Sequence, residues 1–146
     1  REQVAHPLDG FGMLIPSRAG RRTLGVLFSS TLFPGRAPAG QVLLTAFIGG
    51  VRNEAVATLD EAEIVRQVLA DLTPLLGIRA APVFERVRRW AHAIPQYELG
   101  HLERLARIDA RLARFPGLHV RANWRDGISV ADCVANAAQF AGQLSD

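Results

Sequence analysis

Lysine is absent from this chain of 146 residues, and cysteine occurs only once, at Cys133. A single cysteine excludes an internal disulfide and a zinc site made of several cysteines. No apolar run approaches the roughly 20 residues that a membrane-spanning helix needs, and no secretory signal is visible. The histidines lack metal-ligand spacing, so we expect no metal site at His6, His92, His101 or His119.

The charged residues are dispersed rather than clustered. All 17 basic residues are arginine, and with 14 acidic residues they give a formal net charge of +3. This pattern does not predict nucleic-acid binding, whereas arginine beside apolar residues favours a membrane surface. Apolar residues make up 49% of the chain, enough for one domain with a real core. Because the chain begins at Arg1 rather than at methionine, we expect it to belong to a longer polypeptide.

The first half of the chain predicts three strands followed by a helix. Runs rich in valine, leucine and phenylalanine, bounded by glycine and proline, predict strands at residues 10–16, 23–29 and 42–48. Asp60 followed three residues later by Glu63 is the pattern of a capping box, and Gly77 is a typical helix stop. The helical spacing predicts one buried stripe, made of Ile64, Val68, Leu72 and Leu75.

The second half predicts a strand at residues 83–90, a helix that begins near His101, and a final strand-turn-helix at residues 117–144. In that last stretch, residues 118–120 form a strand and residues 122–127 a turn. The order of the elements is that of an α+β fold, with helices packed on a mixed or antiparallel sheet. The last helix has one apolar face that predicts burial, made of Val130, Val134, Ala137, Ala141 and Leu144.

The start of that last helix is the first candidate for a binding site. A helix N-terminus leaves N–H groups unpaired and exposes the positive end of the helix dipole. It therefore suits an anionic ligand or an electron-rich ring that gains negative charge. An ordinary packed strand-turn-helix is the alternative, and from the residues alone Trp90 and Phe47 are interpreted as core aromatics.

A series of short motifs, collinear from about Gly10 to Leu144, supports a family assignment. Together the motifs resemble the oxygen-dependent protoporphyrinogen oxidases, flavin enzymes of the amine-oxidase type. The motifs are Gly10-Phe11-Gly12, Leu24-Gly25, Phe28-Ser29-Ser30, Phe33-Pro34, Gly49-Gly50, Arg89-Trp90, Ile94-Pro95-Gln96-Tyr97, Leu99-Gly100-His101 and Asn123 with residues 127–133.

The resemblance implies a carboxy-terminal piece of an FAD enzyme that converts protoporphyrinogen IX to protoporphyrin IX with dioxygen, in haem synthesis. Residues 1–116 would belong to the substrate-binding domain and residues 117–146 to the FAD-binding domain. The implied cofactor-binding residues are Trp90, Asn123, Gly127, Ile128, Ser129 and Val130. The implied substrate-binding residues are Phe11, Leu14, Leu27, Phe47 and Ile94. No side chain of the chain is implied as a catalytic acid or base.

Three departures from the family pattern qualify this interpretation. The G-x-G-x-x-G fingerprint for the FAD pyrophosphate does not occur in the chain, and the family's substrate-carboxylate arginine belongs to the amino-terminal half. Arg121-Ala122-Asn123 stands where the family usually has Ala-Gly-Asn. A Cβ at Ala122 would crowd a closely approaching cofactor, and a buried Arg121 would need a partner.

These departures lead to expectations for the isolated chain. We expect it to be catalytically silent without the amino-terminal half of the enzyme and to self-associate as a homo-oligomer through an exposed apolar face. The expected location is the cytoplasm, peripheral on the inner face of the cell membrane. Two alternatives stay open: a non-enzymatic module that binds a tetrapyrrole or a partner protein, and a flavin amine oxidase with another substrate.

Overall fold

A computed structural model of the protein describes residues 1–51 and 53–144. The chain forms two compact units, Arg1–Arg89 and Trp90–Asp146. The first unit contains a sheet, a long helix and short helical turns, and the second contains two helices joined by irregular segments. The α+β class predicted from the sequence is confirmed.

The sheet of the first unit has three antiparallel strands in the order β1, β2, β3. They are β1 (Gly12–Leu14), β2 (Thr23–Leu27) and β3 (Thr45–Ile48). The three predicted strands are therefore present but shorter. The second ends before Ser29 because the one-turn helix α1 (Ser29–Leu32) begins there. Two 3₁₀ turns, Ser17–Ala19 and Glu54–Thr58, complete the connections.

Strand alternation divides the sheet into a core face and an outer face. Met13 pairs with Val26, and Val26 pairs with Ala46, so all three lie on the core face. Leu14 pairs with Gly25, and Gly25 pairs with Phe47, on the outer face. The buried core against which the inner face packs consists of Leu8, Val26, Phe28, Leu72 and Leu76.

Helix α2 (Glu61–Leu76) begins and ends where local signals predict. The Asp60 carboxylate accepts the Glu63 N–H at 2.7 Å, and Gly77 ends the helix in the left-handed conformation, with φ 60°. Only half of the predicted capping box forms, because the Glu63 carboxylate instead contacts Arg66 and Gln67.

The predicted buried stripe of α2 is confirmed at Ile64 and Leu72 but is wrong at its end. Leu75 is 40% exposed, whereas Leu76 is among the most deeply buried side chains. Leu76 lies four residues after Leu72 and therefore one turn further along the same face, which brings it onto the core.

The second unit contains α3 (His101–Leu112) and α4 (Val130–Gln143). Neither helix has a fully buried side chain. Residues 84–90 and residues 118–120 belong to no strand or helix. The predictions of strands at 83–90 and 118–120 are therefore wrong. A strand needs a partner for its N–H and C=O groups, and no neighbouring strand pairs with them in the described part of the chain.

The packed face of α4 also differs from the prediction. Its half-buried positions are Cys133, Asn136 and Phe140. The predicted apolar face is exposed instead, with Val130 81% and Val134 64% accessible. The second unit thus carries an apolar helix face that none of its own described elements covers.

Candidate functional site

The site is built around a tight turn, residues 122–127, that precedes α4. The N–H groups of Arg125 and Asp126 both donate to the Ala122 carbonyl, at 2.9 and 3.1 Å. Gly127 then has φ +125°, which L side chains rarely adopt. A Cβ at this position would lie 2.6 Å from the Cβ of Asp132. The turn therefore requires glycine where it enters the helix.

A capping box fixes the start of α4, and the sequence analysis missed it. The Asp132 N–H donates to Ser129 Oγ at 3.0 Å, and the Ser129 N–H donates back to Asp132 Oδ2 at 3.3 Å. The sequence signal was available, since serine followed three residues later by an acidic residue is a known N-terminal pattern.

The capping box leaves donors at the helix start. Within the described residues, the N–H groups of Val130 and Ala131 have no hydrogen-bond partner. The side chain of Val130 is 81% exposed, so this end of the helix is open to solvent. Two free N–H groups and the positive end of a helix dipole together favour a group that carries or gains negative charge.

An open groove of about 500 Å³ lies beside this helix start. Three of the predicted cofactor residues, Asn123, Ile128 and Val130, line it together. The predicted residues Gly127 and Ser129 adjoin them in the chain, whereas Trp90 is 68% exposed and does not line the groove. The remaining lining residues are Arg121, Ala122, Cys133, Val134 and Ala137. The walls are thus mostly apolar.

Arg121, which was expected to be costly if buried, is partly exposed and has partners. Its Nη1 lies 3.1 Å from Asp126 Oδ1, and its guanidinium carbon lies 4.2 Å from the centroid of the Phe140 ring. Carboxylate pairing and cation–π contact are both favourable for arginine. Arg121 therefore fits at the edge of the groove without an unpaired charge.

A second arginine ties the turn to α3. Arg125 Nη1 lies 2.7 Å from Asp109 Oδ1, and Arg125 Nε lies 3.4 Å from Asp126 Oδ1. The pairing with Asp109 raises the pKa of Arg125, although partial burial acts in the opposite direction. Arg125 therefore keeps its charge, and its ion pairs link the turn to Asp109 of α3 and to Asp126 within the turn.

Tyr97 is a further contact with the turn that sequence reasoning missed. Its hydroxyl donates to the backbone carbonyl of Asn123, and its ring stacks on His101 at 4.3 Å between centroids. These partners are 26 and 4 residues away in the chain. A bond of such long sequence separation has no local signature.

The predicted substrate residues of the first unit lie on or beside the outer face of the sheet. Leu14 is 88% exposed and Phe47 is 50% exposed, so the interpretation of Phe47 as a core aromatic is wrong. Leu27 is half-buried, and Phe11, just before β1, is 68% exposed. Gly25 lies between Leu14 and Phe47, where a Cβ would be 2.8 Å from the Met13 carbonyl oxygen. The result is an exposed apolar surface.

The other predicted site residues belong to the second unit. Ile94 is 63% exposed and Trp90 is 68% exposed, so Trp90 is not a core aromatic either.

Among the residues that the structure describes, no group of three or more His, Cys, Asp or Glu side chains could hold a metal ion. The helices within residues 1–51 and 53–144 are all too short or too polar to span a lipid bilayer.

Comparison with known proteins identifies the class. Residues 2–143 match the family model described as flavin-containing amine oxidoreductase. The chain therefore belongs to the flavin-containing amine oxidoreductase family, which implies a flavin cofactor.

Individual relatives specify the class further. The chain is 41% identical over 143 residues, 95% of its length, to the chloroplastic protoporphyrinogen oxidase of Oryza sativa subsp. japonica. It is 39% identical over 144 residues, 97% of its length, to protoporphyrinogen oxidase 2, chloroplastic/mitochondrial, of Arabidopsis thaliana. It is 29% identical over 133 residues, 90% of its length, to the coproporphyrinogen III oxidase of Bacillus subtilis (strain 168). The resemblance stated from the motifs is confirmed.

A solved structure has the same fold. The crystal structure from Exiguobacterium sp. 255-15, provisionally assigned as a protoporphyrinogen oxidase, superposes with a TM-score of 0.77 at 26% identity. The superposition covers 93% of this chain and 30% of that one. The chain spans 27% of the rice relative, 28% of the Arabidopsis relative and 28% of the Bacillus relative. It corresponds to a fragment of such an enzyme.

Proposed function

We propose that this chain is the carboxy-terminal part of an FAD-dependent oxidase that converts protoporphyrinogen IX to protoporphyrin IX with dioxygen, in haem synthesis. The observation that carries the proposal is the similarity to plant protoporphyrinogen oxidases along nearly the whole chain. The rest of the enzyme, outside this chain, supplies the pyrophosphate site that these residues lack, so the isolated chain is catalytically silent. Residues 1–116 belong to the substrate-binding domain and residues 117–146 to the FAD-binding domain.

The groove beside α4 fits a flavin ring. Its apolar walls suit the faces of an aromatic ring system, and the free N–H donors at the adjacent start of α4 suit a polar edge. The residues that would hold the ring are Asn123, Gly127, Ile128, Ser129 and Val130; Trp90, the sixth predicted cofactor residue, does not line this groove. Gly127 precedes the groove residue Ile128 in the chain and has a backbone conformation that other residues rarely adopt.

When bound, the flavin would accept electron pairs from the substrate and pass them to dioxygen. This chain's contribution is electrostatic. The N–H groups of Val130 and Ala131 and the dipole of the 14-residue helix α4 stabilise negative charge on a bound ring. The first-turn carboxylate of Asp132 is hydrogen-bonded to the Ser129 hydroxyl and N–H, which limits its opposition to that charge.

The outer face of the sheet suits a flat apolar macrocycle. Leu14, Leu27 and Phe47 present apolar surface around Gly25, which has no side chain. The described outer-face residues of the strands include no acid or base. The role of this face is therefore to bind and orient the substrate, and the electron transfer depends on the cofactor.

The decisive experiment uses the longer protein that contains this chain. It is purified and tested for a flavin absorbance band, and then supplied with protoporphyrinogen IX or coproporphyrinogen III in air. We expect porphyrin fluorescence to appear fastest with protoporphyrinogen IX. Faster oxidation of coproporphyrinogen III would assign the other substrate, and neither product from a flavin-loaded protein would refute the proposed activity.

The exposed sheet face also supports a second candidate, a tetrapyrrole-binding module without catalysis. Phe11, Leu14 and Phe47 are accessible within the first unit itself. Tight porphyrin binding by the 146-residue chain, combined with no flavin binding and no oxidation by the longer protein, would favour this candidate. A flavin amine oxidase acting on another substrate would instead show flavin reduction by an amine and none by a porphyrinogen.

Location and assembly are further parts of the proposal. The names of several relatives assign them to chloroplasts or mitochondria, whereas we propose for this protein the cytoplasm and peripheral attachment to the inner face of the cell membrane. Arginine beside exposed apolar residues such as Phe84 supports the attachment. Co-sedimentation with anionic vesicles, lost at high salt, tests the membrane attachment.

The exposed face of α4 predicts a homo-oligomer of the isolated chain, measurable by sedimentation velocity.

A further inference from the structure

The segment from Ile94 to Gly100 is joined to the groove by one side chain. The Tyr97 hydroxyl donates to the Asn123 carbonyl, and the Tyr97 ring lies nearly parallel to the ring of His101, at an interplanar angle of 10°. His101 is the first residue of α3. Tyr97 therefore connects the start of α3, the segment that contains Ile94, and the turn before α4.

The hydrogen bonds of the turn show what this connection holds. The Ala122 carbonyl accepts the N–H groups of Arg125 and Asp126, and the Asp126 carbonyl accepts Asn136 Nδ2 at 2.6 Å. Within the described residues, the Asn123 carbonyl has no acceptor bond other than the one from Tyr97. Asn123 also lines the groove, so the Tyr97 hydroxyl bonds a groove-side carbonyl that no other hydrogen bond among the described residues holds.

His101 supports Tyr97 by packing. Both ring nitrogens of His101 are shielded from solvent and have no hydrogen-bond partner in the part of the chain that is described. Its contact with Tyr97 is a stacked ring pair, with 4.3 Å between the ring centroids. The stack orients the Tyr97 ring so that its hydroxyl reaches the Asn123 carbonyl in the turn.

We propose that Tyr97 is a positioning residue that holds the flavin-facing turn and the Ile94 segment in one fixed arrangement. The inference rests on the proposed function, because it assigns the turn to the flavin and Ile94 to the substrate. Tyr97 touches neither ligand in this account. It positions the turn through its hydrogen bond to the Asn123 carbonyl, and it positions Ile94 through the backbone, because Ile94 lies three residues earlier in the chain.

The test compares Tyr97→Phe with the unmodified longer protein, because phenylalanine keeps the stack on His101 and removes only the hydroxyl. Hydrogen exchange of the amides at residues 122–127 is expected to become about fivefold faster, as the loss of one hydrogen bond worth about 1 kcal/mol implies. The dissociation constant for FAD is expected to rise by a similar factor, with a shifted flavin absorbance spectrum.

Thr58→Val is the matched control. The Thr58 hydroxyl also donates to a backbone carbonyl, that of Ala55, at an exposed site in the other unit. Its removal is expected to leave the exchange of residues 122–127 and the affinity for FAD unchanged. Tyr97→Leu, which removes the stack as well, is expected to loosen the turn more than Tyr97→Phe does.

The outcomes separate this inference from the proposed function. If the unmodified protein binds no flavin, the proposed function fails and the positioning role fails with it. If it binds flavin and Tyr97→Phe binds equally tightly with an unchanged spectrum, only the positioning role is overturned. Unchanged exchange at residues 122–127 in Tyr97→Phe would also overturn it, because the hydroxyl would then hold nothing.

Discussion

Removing the Asp71 carboxylate should lower the free energy of unfolding of the first unit. Asp71 is 8% exposed, and its Oδ2 accepts the N–H groups of Arg22 at 2.9 Å and Thr23 at 2.8 Å. Its Oδ1 lies 3.6 Å from Arg21 Nη1. These contacts fasten the middle of α2 to the start of β2.

The magnitude follows from those two backbone bonds. Asp71→Ala leaves the buried N–H of Thr23 without its acceptor and removes a charge-assisted bond, which together cost about 2–4 kcal/mol. Urea unfolding followed by circular dichroism should show a midpoint lower by about 1–2 M. Asp9→Ala, which removes an exposed carboxylate in the same unit, should change the free energy of unfolding by less than about 0.5 kcal/mol. Equal midpoints for the two variants would refute the reasoning.

The same carboxylate predicts a pH dependence. Burial tends to raise the pKa of Asp71, but the N–H groups of Thr23 and Arg22 outweigh it, and the folded pKa lies below the ordinary 3.8. The carboxylate therefore adds stability above pH 3.8, and this contribution is lost as the pH falls through the folded pKa. The stability difference between the unmodified protein and Asp71→Asn should be full at pH 7 and shrink below pH 3.8. A constant difference would contradict the assignment.

Three further predictions concern the core, the cap and the sheet face. Leu72→Ala should lower the free energy of unfolding by about 2–5 kcal/mol because it opens a cavity, whereas the neighbouring exposed Leu75→Ala should cost less than about 1 kcal/mol; similar urea midpoints would place the core elsewhere. Ser129→Ala should cost α4 about 1 kcal/mol and speed hydrogen exchange in its first turn, and unchanged exchange would show that the cap is not formed. Leu14→Asn should leave unfolding unchanged, because the side chain is 88% exposed, but should weaken porphyrin binding measured by fluorescence titration. Unaltered porphyrin affinity would remove the outer face from the substrate site.

Local signals predicted the elements that local interactions form. Asp60 and Gly77 mark the ends of α2 because a cap and a left-handed stop depend only on residues nearby. The three strands of the first unit were recognised from composition and turn residues. Their order and register depend on contacts such as Val26 with Ala46, which strand patterns alone do not specify.

The wrong predictions for α4 and for residues 83–90 share a physical cause: the pattern of one segment does not show which other segment packs against it or pairs with it. The apolar pattern from Val130 to Leu144 indicates which face of α4 favours burial, but it does not say what covers that face. Alternation at residues 83–90 likewise cannot supply a neighbouring strand. The hydrogen bond from Tyr97 to Asn123 was not predicted for a related reason, because the two residues are 26 positions apart and such a bond leaves no pattern in the sequence.

The central claim is that the free N–H groups at the start of α4 bind a flavin, and Val130→Pro tests it. Proline is favoured at the first position of a helix, and Ser129 already has the extended conformation, φ −71° and ψ 153°, that a residue before proline prefers. The substitution therefore removes one donor and keeps the helix. Val130→Ala is the control, because it trims an 81% exposed side chain and keeps the N–H.

The measurement is the dissociation constant for FAD of both variants in the longer protein. We predict that Val130→Pro binds FAD about tenfold more weakly than Val130→Ala, as the loss of one donor worth about 1.4 kcal/mol implies. Equal affinities in two folded variants would show that the start of α4 does not hold the flavin.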